Sequence, residues 1–80
     1  MVKNLYSYQQ HNLQKILRRI RLDAKLKQSD LAKRLDVPQS FVSKYESGER
    51  NLDFLEVRQV CAAVGISFLD FVSMFEDSLG

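Results

Sequence analysis

Cysteine, proline, glycine, histidine and tryptophan are all scarce in this sequence, with 1, 1, 3, 1 and 0 copies in 80 residues. Each scarcity removes a class of protein. The lone Cys61 cannot form an internal disulfide, so a disulfide-stapled secreted scaffold is excluded and a cytoplasmic protein is expected. Cys61 reads as a small core residue. The lone His11 has no second His or Cys pair at ligand spacing, so no metal site is expected. No linker, low-complexity run or internal repeat is present. No apolar run approaches the ~20 residues that span a bilayer. The opening MVKNLYSYQQ lacks the apolar core of a secretory signal, so no membrane role is expected. No Ser/His/Asp set, paired-carboxylate site or glycine-rich phosphate loop stands out, which argues against an enzyme and against a bound cofactor.

What is present is helical patterning. Strand-like alternation and β-branched runs are almost absent, and the fold class expected is all-α. Residues 1–10, with Tyr6 and Tyr8, form an arm or an extra turn, and residues 11–80 form a single domain. Helix 1 is expected from His11 to Ala24, with Leu13, Ile16, Leu17, Ile20 and Ala24 on one face. Helix 2 covers Ser29 to Leu35, with Leu31, Ala32 and Leu35 inward. Asp36-Val37-Pro38 breaks it. Helix 3 covers Gln39 to Glu46, with Val42 and Tyr45 inward and Gly48 closing it. Helix 4 covers Phe54 to Val64 behind an Asp53/Glu56 capping box, with Phe54, Val57, Val60, Cys61 and Val64 as its buried stripe. Ser67 and Asp70 give a second such box for helix 5, about 68–77.

Charge is unevenly placed. The net charge is +2, but residues 1–50 carry a balance of +6 and residues 51–80 a balance of −4. A basic front and an acidic back suit two surfaces with different partners. Ordinary solvated helix faces explain the charge equally well.

Helices 2 and 3 are short, polar outside and joined by a tight break, the arrangement in which a second helix enters the DNA major groove. Gln39, Ser40, Ser43 and Lys44 share the face away from Val42 and Tyr45. Gln can pair with adenine, Lys can donate to guanine, and Ser can meet a base or a phosphate. Phe41 suits either packing at the seam of helices 2 and 3 or contact with a thymine methyl.

LKQSDLAKRL followed by VPQSFVSKYESGER, with the later CAAVGIS, resembles the Cro/phage-repressor (XRE-like) helix-turn-helix family across residues 13–72. The resemblance implies a compact five-helix, lambda-repressor-like domain with its motif at about 28–47. It implies that Gln39, Ser40, Ser43 and Lys44 occupy base-reading or nearby phosphate positions, and that Gln28, Arg50 and Asn51 meet the DNA backbone. The basic Lys27, Arg34, Lys44 and Arg50 are expected to supply the salt-dependent phosphate contacts. Gln28 would also brace the reading helix. Arg21 and Glu46 match a family pair that forms a partly buried ion pair between helices 1 and 3. The family usually has glycine at Lys25 and Asp36, so the loop after helix 1 is expected to differ in shape.

The segment ISFLDFVSMFEDSL carries more apolar residues than one helix face buries. Leu55, Phe68, Leu69, Val72 and Phe75 are therefore expected at a homodimer interface. The function expected is a sequence-specific transcriptional repressor that binds pseudo-palindromic double-stranded DNA as a dimer, with no small-molecule effector evident. The competing expectation is a protein-interaction adapter, such as the antitoxin of a toxin–antitoxin pair, on the same fold.

Overall fold

The computed structural model describes the backbone from Val2 to Gly80 and the side chains from Ser7 onward. Five helices, and no strand, lie among these residues: α1 (Val2–Asp23), α2 (Gln28–Leu35), α3 (Gln39–Ser47), α4 (Phe54–Val64) and α5 (Phe68–Ser78). α1 packs on α3, α4 and α5, while α2 packs on α3 and α4. The shared core comprises Ile16, Leu17 and Ile20 of α1, Leu31 and Ala32 of α2, and Val42 and Tyr45 of α3. Val57, Val60 and Cys61 of α4 and Phe71 of α5 complete it. Each large side chain so buried contributes about 1.5–3 kcal/mol.

Cys61 is a fully buried free thiol, and loss of hydration pushes its pKa up to about 11. Burial likewise pushes Tyr45 above the usual tyrosine range, with the Glu46 charge adding to the shift. Among the described residues the Tyr45 hydroxyl finds no hydrogen-bond partner.

Ala24, expected on the inner face of helix 1, lies past the end of α1 and is exposed, and two larger expectations about the elements change. α1 begins at Val2, not near His11, so residues 2–10 continue the helix. Contacts distant in sequence fasten this segment. The Tyr8 hydroxyl and Asn12 Nδ2 donate to the Ser78 carbonyl at 3.4 and 3.3 Å, and Gln10 Nε2 donates to Asn51 Oδ1 at 2.8 Å. Local periodicity cannot show such bonds. The side chain of Tyr6 lies outside the described residues. Phe54 is the second change. It opens α4 with 69% of its surface exposed, not in the buried stripe, and its ring meets Phe68 edge-on at 5.1 Å.

The helix ends follow from hydrogen-bond bookkeeping. At the end of α1 the Lys25 N–H donates to the Leu22 carbonyl and the Leu26 N–H to the Arg21 carbonyl. The same paired closure ends α2 through Asp36 and Val37, and α4 through Gly65 and Ile66. It requires a left-handed residue at the turn. Gly65 supplies that freely, but Lys25 (φ 60) and Asp36 (φ 58) adopt it as well. The turn after α1 thus takes the left-handed form without glycine. At the other ends, α4 has both halves of its capping box, with Glu56 N–H on Asp53 Oδ1 at 2.8 Å and Asp53 N–H on Glu56 Oε1 at 3.0 Å. α5 has only the forward half, Asp70 N–H to Ser67 Oγ at 3.3 Å.

No single described helix is long and apolar enough to cross a membrane, and the chain bends by 112° between the apolar α4 and α5.

A left-handed non-glycine residue costs about 1–2 kcal/mol, partly offset in a glycine variant by the larger entropy of the unfolded chain. Lys25→Gly is therefore expected to stabilise the fold by about 0.5–1 kcal/mol. Urea denaturation monitored by circular dichroism reads this as a higher midpoint. An unchanged or lower midpoint would contradict the account of this turn.

Candidate nucleic-acid interface

α3 follows Pro38, whose φ of −64 and ψ of 153 set the chain up to enter a helix. At about 100° per residue, Gln39, Ser43, Ser47, Ser40 and Lys44 fall within one arc of about 140°. Gln39, Ser40, Lys44 and Ser47 are exposed and Ser43 is half-buried, while Val42 and Tyr45 anchor the opposite side in the core. Four of the five arc residues were singled out in the sequence. Ser47 was not, because α3 runs one residue past the expected end.

One edge of the arc is bounded by a bonded chain through three helices. Arg21 of α1 donates from Nε and Nη2 to Glu46 Oε2 and Oε1 of α3, at 2.7 and 2.9 Å. Its Nη1 donates to the Leu26 carbonyl at 2.8 Å. Gln28 of α2 donates to Glu46 Oε1 at 3.1 Å and accepts from Gln39 Nε2 at 3.5 Å. The Arg21 and Glu46 side chains are only 7% and 4% exposed. The hydrogen bonds to Glu46 hold the Arg21 pKa above its ordinary value, against the opposing pull of burial.

The other edge is bounded by Phe41, half-buried and edge-to-face on Tyr45 at 5.9 Å. The Arg50 guanidinium lies over the Phe41 ring, 4.4 Å from its centroid, and is bonded to Glu56. The sequence marks Glu56 only as a helix cap. Its link to Arg50 spans six residues across a loop and leaves no periodic signal.

The residues assigned to the DNA backbone do not all gather around this arc. Gln28 stands beside Gln39, and Lys27 is exposed at the start of α2. Arg50 flanks the Phe41 edge. Arg34 turns instead to the seam between α2 and α4, where Nη1 donates to the Ala63 carbonyl near the end of α4 at 2.9 Å. The Asn51 side-chain oxygen is engaged by Gln10 of α1. At α2 the Asp30 Oδ2 accepts the Lys27 N–H at 2.9 Å, whereas α3, behind Pro38, has no side-chain hydrogen bond at its N-terminus. The uncapped N-terminus is that of the second helix of the motif, and free helix N–H groups can donate to an anion.

Among the residues assigned to a dimer contact, Leu55 and Leu69 are 66% and 79% exposed. Val72 is also exposed, and Phe68 and Phe75 are half-buried. Phe68 and Phe75 line an apolar groove together with Leu13, Leu52 and Phe54.

Breaking a buried pair strands a charge and costs about 3–5 kcal/mol, whereas replacing both partners by apolar groups is close to neutral. Arg21→Met is thus expected to destabilise the domain by about 3–5 kcal/mol in urea denaturation, and adding Glu46→Leu to restore most of that. A single variant as stable as the parent would contradict the assignment of a buried, mutually dependent pair.

The helix-turn-helix family model HTH_3 matches residues 17–71. Among solved structures, an XRE-family like protein from Pseudomonas syringae pv. tomato str. DC3000 is 34% identical, with a TM-score of 0.91 over 99% of this chain and 96% of that one. The wild-type restriction-modification controller protein C.Esp1396I is 21% identical, with a TM-score of 0.84 over 90% of this chain and 95% of its own. The C.Esp1396I tetramer in complex with its natural 35 base-pair operator gives 21% identity and a TM-score of 0.83 over the same 90% and 95%. At that identity the likeness to C.Esp1396I is one of fold. No curated protein sequence matches the chain. With its helix-turn-helix unit matched over residues 17–71 and a 34% identical XRE-family relative superposing along nearly its whole length, the chain belongs to the XRE-like helix-turn-helix family of DNA-binding transcription regulators.

Proposed function

We propose that this protein is a sequence-specific repressor that binds a pseudo-palindromic operator as a homodimer, with α3 in the major groove of each half-site. The observation that carries the proposal is the polar arc of α3 and its fixation by the Arg21–Glu46–Gln28–Gln39 chain. A groove-reading helix needs hydrogen-bonding side chains outward and a fixed approach angle, and this arrangement supplies both.

In this proposal Gln39, Ser40, Ser43 and Lys44 read base edges. Gln28 and Lys27 contact phosphate, with the open N-terminus of α3 adding backbone donors. Arg50 adds a further cation. Arg34 and Asn51, engaged elsewhere in the fold, contribute only if those bonds exchange for phosphate. The operator complex of C.Esp1396I, on the same fold, supports a duplex ligand.

Two features support a two-fold dimer. Leu69 and Val72 expose apolar surface on one face of α5, and the groove beside Phe68 and Phe75 offers a complementary hollow. A dimer sets two copies of α3 about one DNA turn (~34 Å) apart. Occupation of such a site within a promoter blocks transcription, which is the repressor activity proposed.

Selection of bound duplexes from a random-sequence pool tests the proposal. The expected product is an inverted repeat whose half-site centres are about 10 base pairs apart, or a multiple of that. Recovery of unpatterned sequence at every salt concentration would overturn it. On the recovered duplex, Gln39→Ala and Lys44→Ala are each expected to lose about 1–3 kcal/mol of discrimination at one or two base positions. Gln28→Ala is expected to weaken all sequences about equally, measured by competition binding. A uniform loss from all three variants would remove the base-reading roles.

A further inference from the structure

Arg50 lies in the loop between α3 and α4, outside any helix, yet three separate contacts fix it. Its backbone N–H donates to the Lys44 carbonyl at 3.2 Å, which folds the loop back on α3. Its guanidinium lies over the Phe41 ring. Its Nη2 donates to Glu56 Oε2. Both side-chain partners are held in turn. Phe41 packs against the buried Tyr45, and the second oxygen of Glu56 accepts the Asp53 N–H at 3.0 Å. A loop arginine ordinarily samples many rotamers. This one is ordered before any ligand arrives.

The direction of that order is informative. Phe41 follows Lys44 around the helix, so a guanidinium stacked on Phe41 stands beside the Lys44 edge of the polar arc. Glu56 engages only one of the five guanidinium N–H donors, and the Arg50 side chain stays 41% exposed. The remaining donors are free to fork a phosphate or a base edge.

We propose that Phe41 and Glu56 are positioning residues that pre-set Arg50 as a DNA-contacting cation at the edge of the reading helix; this rests on the DNA-binding function proposed above. Phe41 serves as the platform under the guanidinium, and Glu56 as the tether. Fixing an arginine at the moment of binding costs affinity, and having it fixed beforehand recovers about 2- to 10-fold. Glu56 also carries a negative charge near DNA, and that charge alone weakens binding. The two effects have opposite signs, so they can be separated.

Binding to the duplex recovered from the random pool is measured by fluorescence anisotropy at fixed salt. The variants are Glu56→Gln and Phe41→Leu, each made with Arg50 present and in an Arg50→Ala background. Glutamine keeps an oxygen for the Asp53 N–H, and leucine keeps apolar bulk against Tyr45. With Arg50 present, each variant is expected to weaken binding about 2- to 10-fold. In the Arg50→Ala background, Phe41→Leu is expected to change nothing and Glu56→Gln to leave binding unchanged or tighter. Circular dichroism melts establish that each variant is folded at the assay temperature. If Phe41→Leu is not, Glu56→Gln alone decides. Equal effects in both backgrounds, or tighter binding by Glu56→Gln with Arg50 present, would overturn the positioning role while leaving DNA binding intact. A parent protein with no preference for the selected duplex over a scrambled one would overturn the DNA-binding function and this proposal with it.

Discussion

The orientation of α3 depends on a carboxylate that the fold cannot leave unpaired. Glu46 is on the inner side of the helix with its side chain almost wholly buried, and both oxygens are claimed, by Arg21 from α1 and Gln28 from α2. An isolated carboxylate in that position would cost several kcal/mol, so any rotation or slide of α3 that breaks the contacts is opposed. A hydrophobic pair of the same volume could stabilise the domain as well. It would not fix direction as closely, because apolar contacts tolerate small rotations and paired hydrogen bonds do not. The apolar packing of Val42 and Tyr45 presses α3 against the core, and the ion pair sets its rotation about its own axis.

From that constraint the polar arc inherits two unlike edges. On one side the bonding continues outward from Glu46 through Gln28 to Gln39, so an exposed side chain of the arc is tied to the interior by two further links. On the other side Phe41, Arg50 and Glu56 join the helix to the loop and to the first turn of α4. The last turn of α3 is closed by Gly48 at φ 90, where a side chain would be strained and would press on Gln14. The short motif is therefore held by α1, α2, the following loop and α4 together. This suits a helix of only 9 residues, too short to be stable alone in water.

The two ends of the charge distribution fall on different helices. The basic front half supplies α1, α2 and α3, and the acidic back half supplies α4 and α5. Some of the front charge is consumed inside the fold. Arg21 is spent on Glu46 and Arg34 on the end of α4. Among the described residues Lys44 has no carboxylate within ion-pair distance, which leaves its charge available. A count of lysines and arginines therefore overstates the charge at the interface.

Much of this was legible in the sequence, for a local reason. The positions of α2, α3 and α4, the caps at Asp53 and Glu56 and the inward faces of Val42 and Tyr45 follow from periodicity and end signals, which act within a few residues. The family resemblance added Arg21 with Glu46, a pair 25 residues apart that no spacing rule would join. What only the tertiary structure decided has long reach. The first half of α1 is joined to the rest of the fold by bonds from Tyr8 and Asn12 to Ser78 and from Gln10 to Asn51. The exposure of Phe54 and the engagement of Arg34 depend on how α4 lies against its neighbours. The perch of Arg50 on Phe41 depends on where a loop returns. The sequence by itself determined the helices and the polar character of the exposed face of α3, because those are properties of consecutive residues. Which cations remain free at that face was decided only by folding, because it turns on which carbonyls and carboxylates the packed helices bring within reach.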